Sequence, residues 1–234
     1  MDVIIILLLS FLALPLLAVS FMHAGAKLHL FGPMGDGPLT LAALAAQETG
    51  LLWLTLASVK WGYGRSWERI GLTGKRLVQE AGLGLLFFVP LYLIQEAAMW
   101  LSLRGFQLLW PASEVARLLA EENAALAGLV GQVRPLAPVF ASILVFLAPL
   151  AEEVFFRGFL QEVFRERLGT LRAVVFAALL FALIHRYTVQ FLPVFLIGLL
   201  LSLLYEWRRS LTAGVIAHAA LNLTALLQVL KDLP

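Results

Sequence analysis

Two adjacent carboxylates and an arginine, Glu152, Glu153 and Arg157, lie inside an otherwise apolar run. An acidic residue at the centre of a membrane helix costs roughly 2.5–3.5 kcal/mol, so such a run needs a reason to carry two. Glu153 and Arg157 are four residues apart, share a helix face and can pair. Glu152 points about 100° away from them and has no partner on its own helix. We therefore expect another helix to supply one.

Later segments carry candidate partners: His185, and the pair His218 and Asn222, which are four residues apart. At about 1.5 Å per helical residue, these side chains and Glu152 occupy overlapping depths on three helices. Taken singly, an intramembrane His or Asn is more often a helix–helix hydrogen-bonding residue, and the Glu153 pair could serve packing alone. The combination favours one shared functional site.

Such a set can hydrolyse a peptide bond without a covalent intermediate. A glutamate in a cavity of low dielectric can accept a proton from water, and a neighbouring histidine can share that water and later protonate the leaving amine. A second histidine and an asparagine amide on one helix face can donate to a developing oxyanion.

Other intramembrane protease classes are excluded by the residues that the chain lacks. There is no cysteine, hence no thiolate nucleophile and no cysteine metal site. The three aspartates, Asp2, Asp36 and Asp232, fall near segment ends, which excludes an aspartyl protease. No His-Glu-x-x-His zinc motif and no Gly-x-Ser-x-Gly nucleophile turn occurs.

The composition predicts an all-α, polytopic membrane bundle of about 7–8 transmembrane helices, with the active site buried between helices. Hydrophobic residues make up 61% of the chain and charged residues 14%. We expect a single membrane domain over 1–234, with a motif-bearing catalytic core at about 136–230. The first span is taken as retained rather than as a signal peptide, because it lacks a basic start. The predicted spans are 3–21, 39–59, 77–103, 136–167, 171–187, 189–207 and 211–230.

The stretch 104–134 is too polar for a span and predicts a helix on the membrane surface, capped by Ser113. Ten basic residues flank the loops that include 60–76, against five at the other ends. This asymmetry predicts a multi-pass protein of the plasma membrane with a cytoplasmic N-terminus. We expect the site to be reached from the cytoplasmic side or laterally.

Three motifs carry a family resemblance: Glu152-Glu153-x-x-x-Arg157, Phe181-x-x-x-His185 and His218-x-x-x-Asn222. Together they are similar to the CAAX protease and bacteriocin-processing (CPBP, Abi) family of intramembrane proteases, which includes the type II CAAX prenyl endopeptidases. The resemblance implies that Glu152 and His185 activate water. It implies that His218 and Asn222 hold the oxyanion, with Glu153, Arg157 and Phe181 in support.

The resemblance implies an endopeptidase acting on a membrane-associated or C-terminal, CAAX-like substrate. The expected partners are a peptide or lipidated protein and the lipid bilayer, and no nucleic acid. The family has been called metalloprotease, and Glu152, His185 and His218 could form a zinc site with a water. No two of them lie on one helix at the familiar zinc spacing, and Asn222 is a poor zinc ligand. No cofactor is therefore favoured, and a metal-free mechanism is expected.

Two other functions remain open. A catalytically silent peptide-binding or bacteriocin-immunity protein would keep the fold and not cut, and Glu152→Gln would leave its effect intact. A proton-coupled transporter could use Glu48 and Glu96, but no inverted repeat supports it. Those two glutamates are taken as structural or cavity-lining residues.

Overall fold

The computed structural model describes residues 3–28, 30 and 35–232. In that part of the chain the regular elements are helices, with two short 3₁₀ turns and no strand, which confirms the all-α prediction. The helices are α1 (Val3–Lys27), α2 (Asp36–Gly62), α3 (Leu77–Gln107), α4 (Ala112–Gln132), α5 (Ala137–Leu168), α6 (Thr170–His185), α7 (Phe191–Arg208) and α8 (Thr212–Asp232).

Six of the described helices, all except α4 and α6, are long and apolar enough to cross a membrane. Helix α6 is apolar and has 16 residues, which gives a length of about 24 Å. These seven helices correspond to the seven apolar segments of the sequence, so the polytopic bundle is confirmed. Helix α4 is the polar segment expected at the surface. It begins at Ala112, one residue before the predicted cap, so Pro111 takes the cap position and Ser113 lies within the first turn, past the position from which a side chain caps.

The helices run between two ends of the bundle. At the basic end, defined by the loop 63–76 and the turns at 169 and 209–211, Arg65 pairs with Glu166 at 2.6 Å and Arg208 pairs with Glu80 at 2.6 Å. The α4 end is the opposite one and contains α4 and the loop 186–190. There Glu122 of α4 accepts hydrogen bonds from three successive backbone N–H groups of that loop.

Helix α5 is the centre of the bundle. Half of its most apolar stretch is buried (50%), against 11% for α1. Phe155, Phe156 and Phe159 are buried in one core cluster with Phe181 of α6 and Leu51 of α2. Burying such aromatic side chains supplies most of the packing energy available to a helix with charged groups, and it fixes α5 against its neighbours.

Candidate active site

The short α-helical segment of α5 that carries both carboxylates, Ala148–Glu153, is flanked by two π-helical segments. These are Ile143–Leu147 and Val154–Gln161. π-Helical turns are rare and are frequent at functional sites, because each inserts a residue and leaves backbone groups without their usual partners. Pro149 lies in that turn, where its missing N–H and its ring both disfavour a regular ladder.

The proline leaves one backbone carbonyl free for another helix. The N–H of Ala148 donates to the carbonyl of Ile143, and Pro149 has no N–H to give. The carbonyl of Leu144 is therefore without its usual helical donors. Asn222 Nδ2 of α8 donates to it at 2.9 Å. One N–H of the Asn222 amide thus joins α8 to α5, and its second N–H remains available.

Arg157, Glu153 and His218 form a buried chain of hydrogen bonds behind the turn. Arg157 is fully buried and donates from Nη1 to Glu153 Oε1 at 2.8 Å and from Nη2 to the carbonyl of Gly198 at 3.1 Å. The same Glu153 oxygen accepts from the Nδ1–H of His218 at 3.0 Å. The predicted Glu153–Arg157 pair is confirmed, and the pair also sets the orientation of the His218 ring.

Two glycines make room for this chain. A Cβ atom at Gly214 would lie 3.2 Å from Glu153 Oε2, and one at Gly198 would lie 3.1 Å from Cδ1 of Phe181. A larger residue at either position would displace the carboxylate or the ring. The close approach of α8 to α5 and of α7 to α6 therefore depends on these positions.

Phe181 contacts three of the polar groups. Its ring lies 4.5 Å from the Arg157 guanidinium carbon, 4.7 Å from the His185 ring and 5.8 Å from the His218 ring. Its carbonyl accepts from Nδ1 of His185 at 2.7 Å. A carbonyl only accepts, so Nδ1 of His185 carries the proton and, in the neutral ring, Nε2 carries the lone pair.

Glu152 differs from its neighbour Glu153 in having no ion pair with arginine. Its Oε2 atom is buried without a hydrogen-bond partner and lies 3.8 Å from Nε2 of His218. We expected another helix to supply a partner for Glu152: His218 of α8 approaches it, but at 3.8 Å it makes no hydrogen bond to Oε2. A buried carboxylate oxygen left free in this way has capacity for a water or a substrate group.

The four predicted catalytic residues line one cavity of about 350 Å³, within the size range of ligand sites. Phe181 lines it too, whereas Glu153 and Arg157 lie behind its wall. The remaining polar lining comes from Glu48 of α2, Gln95 of α3 and Tyr187, and most other lining residues are apolar. The sequence motifs are thus brought together in space as expected.

Two further lining residues are Glu48, which the sequence offered together with Glu96 as structural or cavity-lining, and Tyr187, which it did not. Glu48 is buried, with Oε1 accepting from Gln47 Nε2 at 2.9 Å and Oε2 unpartnered, so it is the cavity-lining glutamate, while Glu96 is exposed. Tyr187 was missed, although it follows His185 by two residues. Burial, and then the nearby carboxylates of Glu122 and Glu152, raise the pKa of Tyr187, which keeps its hydroxyl protonated.

The residues as placed do not fit a zinc site. Within the described residues, no three His, Asp or Glu side chains are arranged to hold a metal ion. No step of the chemistry below is therefore routed through a metal.

The cavity lies towards the α4 end of the bundle. Leu129 of α4 and Tyr187 of the adjacent loop line it, and no residue of the loop 63–76 is among its lining. The charge asymmetry predicts that the basic end is cytoplasmic. The two expected routes to the site, from the cytoplasmic side and laterally from the bilayer, stay predictions.

Residues 134–224 match the family model described as type II CAAX prenyl endopeptidase Rce1-like. No curated protein and no solved structure matches the chain. The matched segment contains all three motifs and leaves out Glu48 and Gln95, which line the cavity from the N-terminal half. The resemblance drawn from the motifs is confirmed over 134–224: this segment carries the signature of the Rce1-like type II CAAX prenyl endopeptidases.

Proposed function

We propose that this protein is an intramembrane endopeptidase that hydrolyses a peptide bond of a membrane-associated substrate with a water activated by Glu152. The observation that carries the proposal is that Glu152, whose Oε2 has no hydrogen-bond partner, lines one cavity with His185, His218 and Asn222. The match to the CAAX endopeptidase family supports the same reaction class.

In the first step, a water in the cavity donates one hydrogen bond to Glu152 and one to Nε2 of His185. Glu152 takes a proton as the water oxygen attacks the carbonyl carbon of the substrate. Because the Nδ1–H of His185 is held by the Phe181 carbonyl, Nε2 is the atom left to orient the water.

The negative charge then develops on the substrate oxygen. The second N–H of Asn222 can donate to it, as can Nε2 of His218 when that ring carries both protons. Arg157 and Glu153 support this step indirectly, since they fix the His218 ring from behind. When the C–N bond breaks, the proton held by Glu152 passes to the leaving amine, with His185 as the relay. The products are a carboxylic acid and an amine.

The test uses purified protein reconstituted in lipid vesicles, with reporter peptides that carry or lack a prenyl group. Mass spectrometry of the products identifies the bond that is cut. We expect cleavage that persists in a strong chelator, because no metal step is involved. Loss of activity with chelator, restored by stoichiometric zinc, would replace this mechanism with a metalloprotease one. The peptide-binding alternative would be favoured by a different pair of results. Neither reporter set would be cleaved, and the Glu152→Gln protein would protect cells against a bacteriocin as well as the wild type does.

A further inference from the structure

A second glutamate lines the cavity of about 350 Å³ that Glu152 lines, here called the catalytic cavity. This residue is Glu48 of α2, which is 5% exposed and which the proposed reaction does not use. Its Oε1 atom accepts from Gln47 Nε2 at 2.9 Å. Its Oε2 atom is buried without a hydrogen-bond partner, as is the Oε2 atom of Glu152. Two unpartnered carboxyl oxygens around one cavity are costly and need an explanation.

The charges around the catalytic cavity do not balance two carboxylates. Among the described residues that line it, none is Lys or Arg. Arg157 lies behind the wall and its charge acts on Glu152, but Arg157 is paired with Glu153, and that pair is neutral as a whole. A His218 ring that carries both protons, as the oxyanion step above uses it, balances one negative charge. A second negative charge would remain unbalanced.

The other groups around Glu48 do not change this balance. Tyr187 stays neutral, because burial and the nearby carboxylates raise the pKa of its hydroxyl. His185 is neutral when its Nε2 atom accepts from the water. Helices α3, α4 and α7 contribute only neutral side chains to the described lining. The described part of α1, which packs against α2, has His23 and Lys27 as its titratable residues, and both are exposed.

One proton can satisfy both unpartnered oxygens. The charges of Glu48 and Glu152 interact, and two carboxylates that share a site of low dielectric repel each other, so one of them keeps its proton. Glu152 has His218 Nε2 at 3.8 Å and the charge of Arg157 behind it, whereas the hydrogen-bond partner of Glu48 is a neutral amide. The negative charge therefore belongs on Glu152 and the proton on Glu48. A protonated carboxyl group is a donor, and a carboxylate oxygen is its acceptor.

We propose that Glu48 holds a proton that it shares with Glu152, directly or through a water, and that Glu48 is thereby a positioning residue for the glutamate that activates the water. The inference rests on the proposed function and adds a residue to it. Glu48 keeps its own proton throughout, while Glu152 takes a proton from the water and passes it to the leaving amine. Glu48 lies outside the segment 134–224, so the N-terminal half of the chain would contribute to the chemistry.

The first experiment measures the pH profile of kcat/KM on a reporter peptide that the wild type cleaves. The O–H of Glu48 stabilises the charged form of Glu152, so without this donor Glu152 needs a higher pH to become charged. Glu48→Leu should therefore move the acid limb of the profile to higher pH by about one unit. Glu48→Gln retains an N–H donor and should move it less. Glu96→Gln, which changes an exposed glutamate outside the cavity lining, should leave the limb in place.

Infrared difference spectroscopy of the protein without substrate detects the proton itself. At neutral pH the wild type should show the C=O stretching band of a protonated carboxyl group. That band should be absent from Glu48→Gln and unchanged in Glu96→Gln. It should shift in Glu152→Gln, because the acceptor of the shared proton changes from a carboxylate to an amide.

Three results would overturn the shared proton. An acid limb that stays in place in Glu48→Leu would show that the residue acts on structure alone, and a limb that moves to lower pH would show that Glu48 is charged. The third is a wild type without the infrared band. If these results appear while Glu152→Gln abolishes cleavage, the shared proton fails and the proposed function stands. If the wild type cleaves nothing but the band behaves as described in all three variants, the reverse holds.

Discussion

Glu153 is the residue on which the order of the site depends most. A single one of its oxygens accepts from both Arg157 and His218, and the residue is 1% exposed. Its neighbour Glu152 lines the cavity, and its Oε2 is buried without a hydrogen-bond partner. Two adjacent glutamates therefore have different environments, which assigns one to structure and leaves the other for the proposed chemistry.

Removing Arg157 tests this division. Arg157→Ala would leave Glu153 buried without its arginine and should lower the free energy of unfolding by about 3–5 kcal/mol. Arg117→Ala, which removes an exposed arginine paired with Glu114 and Glu121, should change it little. Denaturation of both variants in the same detergent measures the difference. A stable but inactive Arg157→Ala protein would contradict a supporting role for the pair.

Helix α5 places its carboxylates through an irregular backbone. Pro149 leaves the Leu144 carbonyl without its helical donor, and Asn222 Nδ2 of α8 donates to that carbonyl at 2.9 Å. This hydrogen bond connects the helix of the His218-x-x-x-Asn222 motif to the helix that carries Glu152. A proline inside a helix indicates an interrupted ladder of hydrogen bonds. The sequence could not show the π-helical segments, since these depend on how neighbouring helices pack around the released groups.

Restoring the backbone donor should loosen this attachment. In Pro149→Ala the new N–H competes with Asn222 for the Leu144 carbonyl, so turnover should fall while the protein remains folded. Pro138→Ala, in the first turn of the same helix where no ladder bond is missing, is the matched control. Turnover and thermal unfolding are measured for both. Unchanged turnover in Pro149→Ala would show that the Asn222 contact does not position the site.

Helix α4 is attached to the site through Glu122. Glu122→Gln removes the charge that holds the N–H groups of residues 188–190, and hydrogen bonds to charged groups contribute about 1.5–3 kcal/mol. We expect faster hydrogen exchange at these amides and reduced turnover, because the loop also carries Tyr187. Glu121→Gln changes the exposed neighbour and should alter neither. Exchange rates that are the same in both variants would separate α4 from the site.

At the scale of the whole chain, the helices and the shared depth of Glu152, His185, His218 and Asn222 could be predicted from the sequence. Apolar length and four-residue spacing are local properties, and the motifs report them directly. The sequence named Glu48 and Glu96 together as structural or cavity-lining residues, but it could not tell which of the two lines the cavity, nor predict the contributions of Gln95 and Tyr187. They depend on which face each N-terminal helix turns towards α5, and nearly uniform apolar sequences do not encode that face.

The charge asymmetry between the ends predicts the orientation in the membrane. The chain has no cysteine, so single cysteines can report it. Ser66→Cys at the basic end should react with a membrane-impermeant thiol reagent only after the cells are opened, and Ala116→Cys on α4 should react in intact cells. Both positions are exposed. The reverse pattern would place the α4 end of the bundle in the cytoplasm.

The central claim is that Glu152 activates the water, and the most direct measurement is the turnover of Glu152→Gln on a reporter that the wild type cleaves. We expect turnover to fall by about 10²–10⁴-fold, the usual contribution of a general base, with the fold intact. The control is Glu96→Gln. Glu96 is exposed and does not line the catalytic cavity, so this variant should retain wild-type turnover. Wild-type turnover by Glu152→Gln would contradict the account.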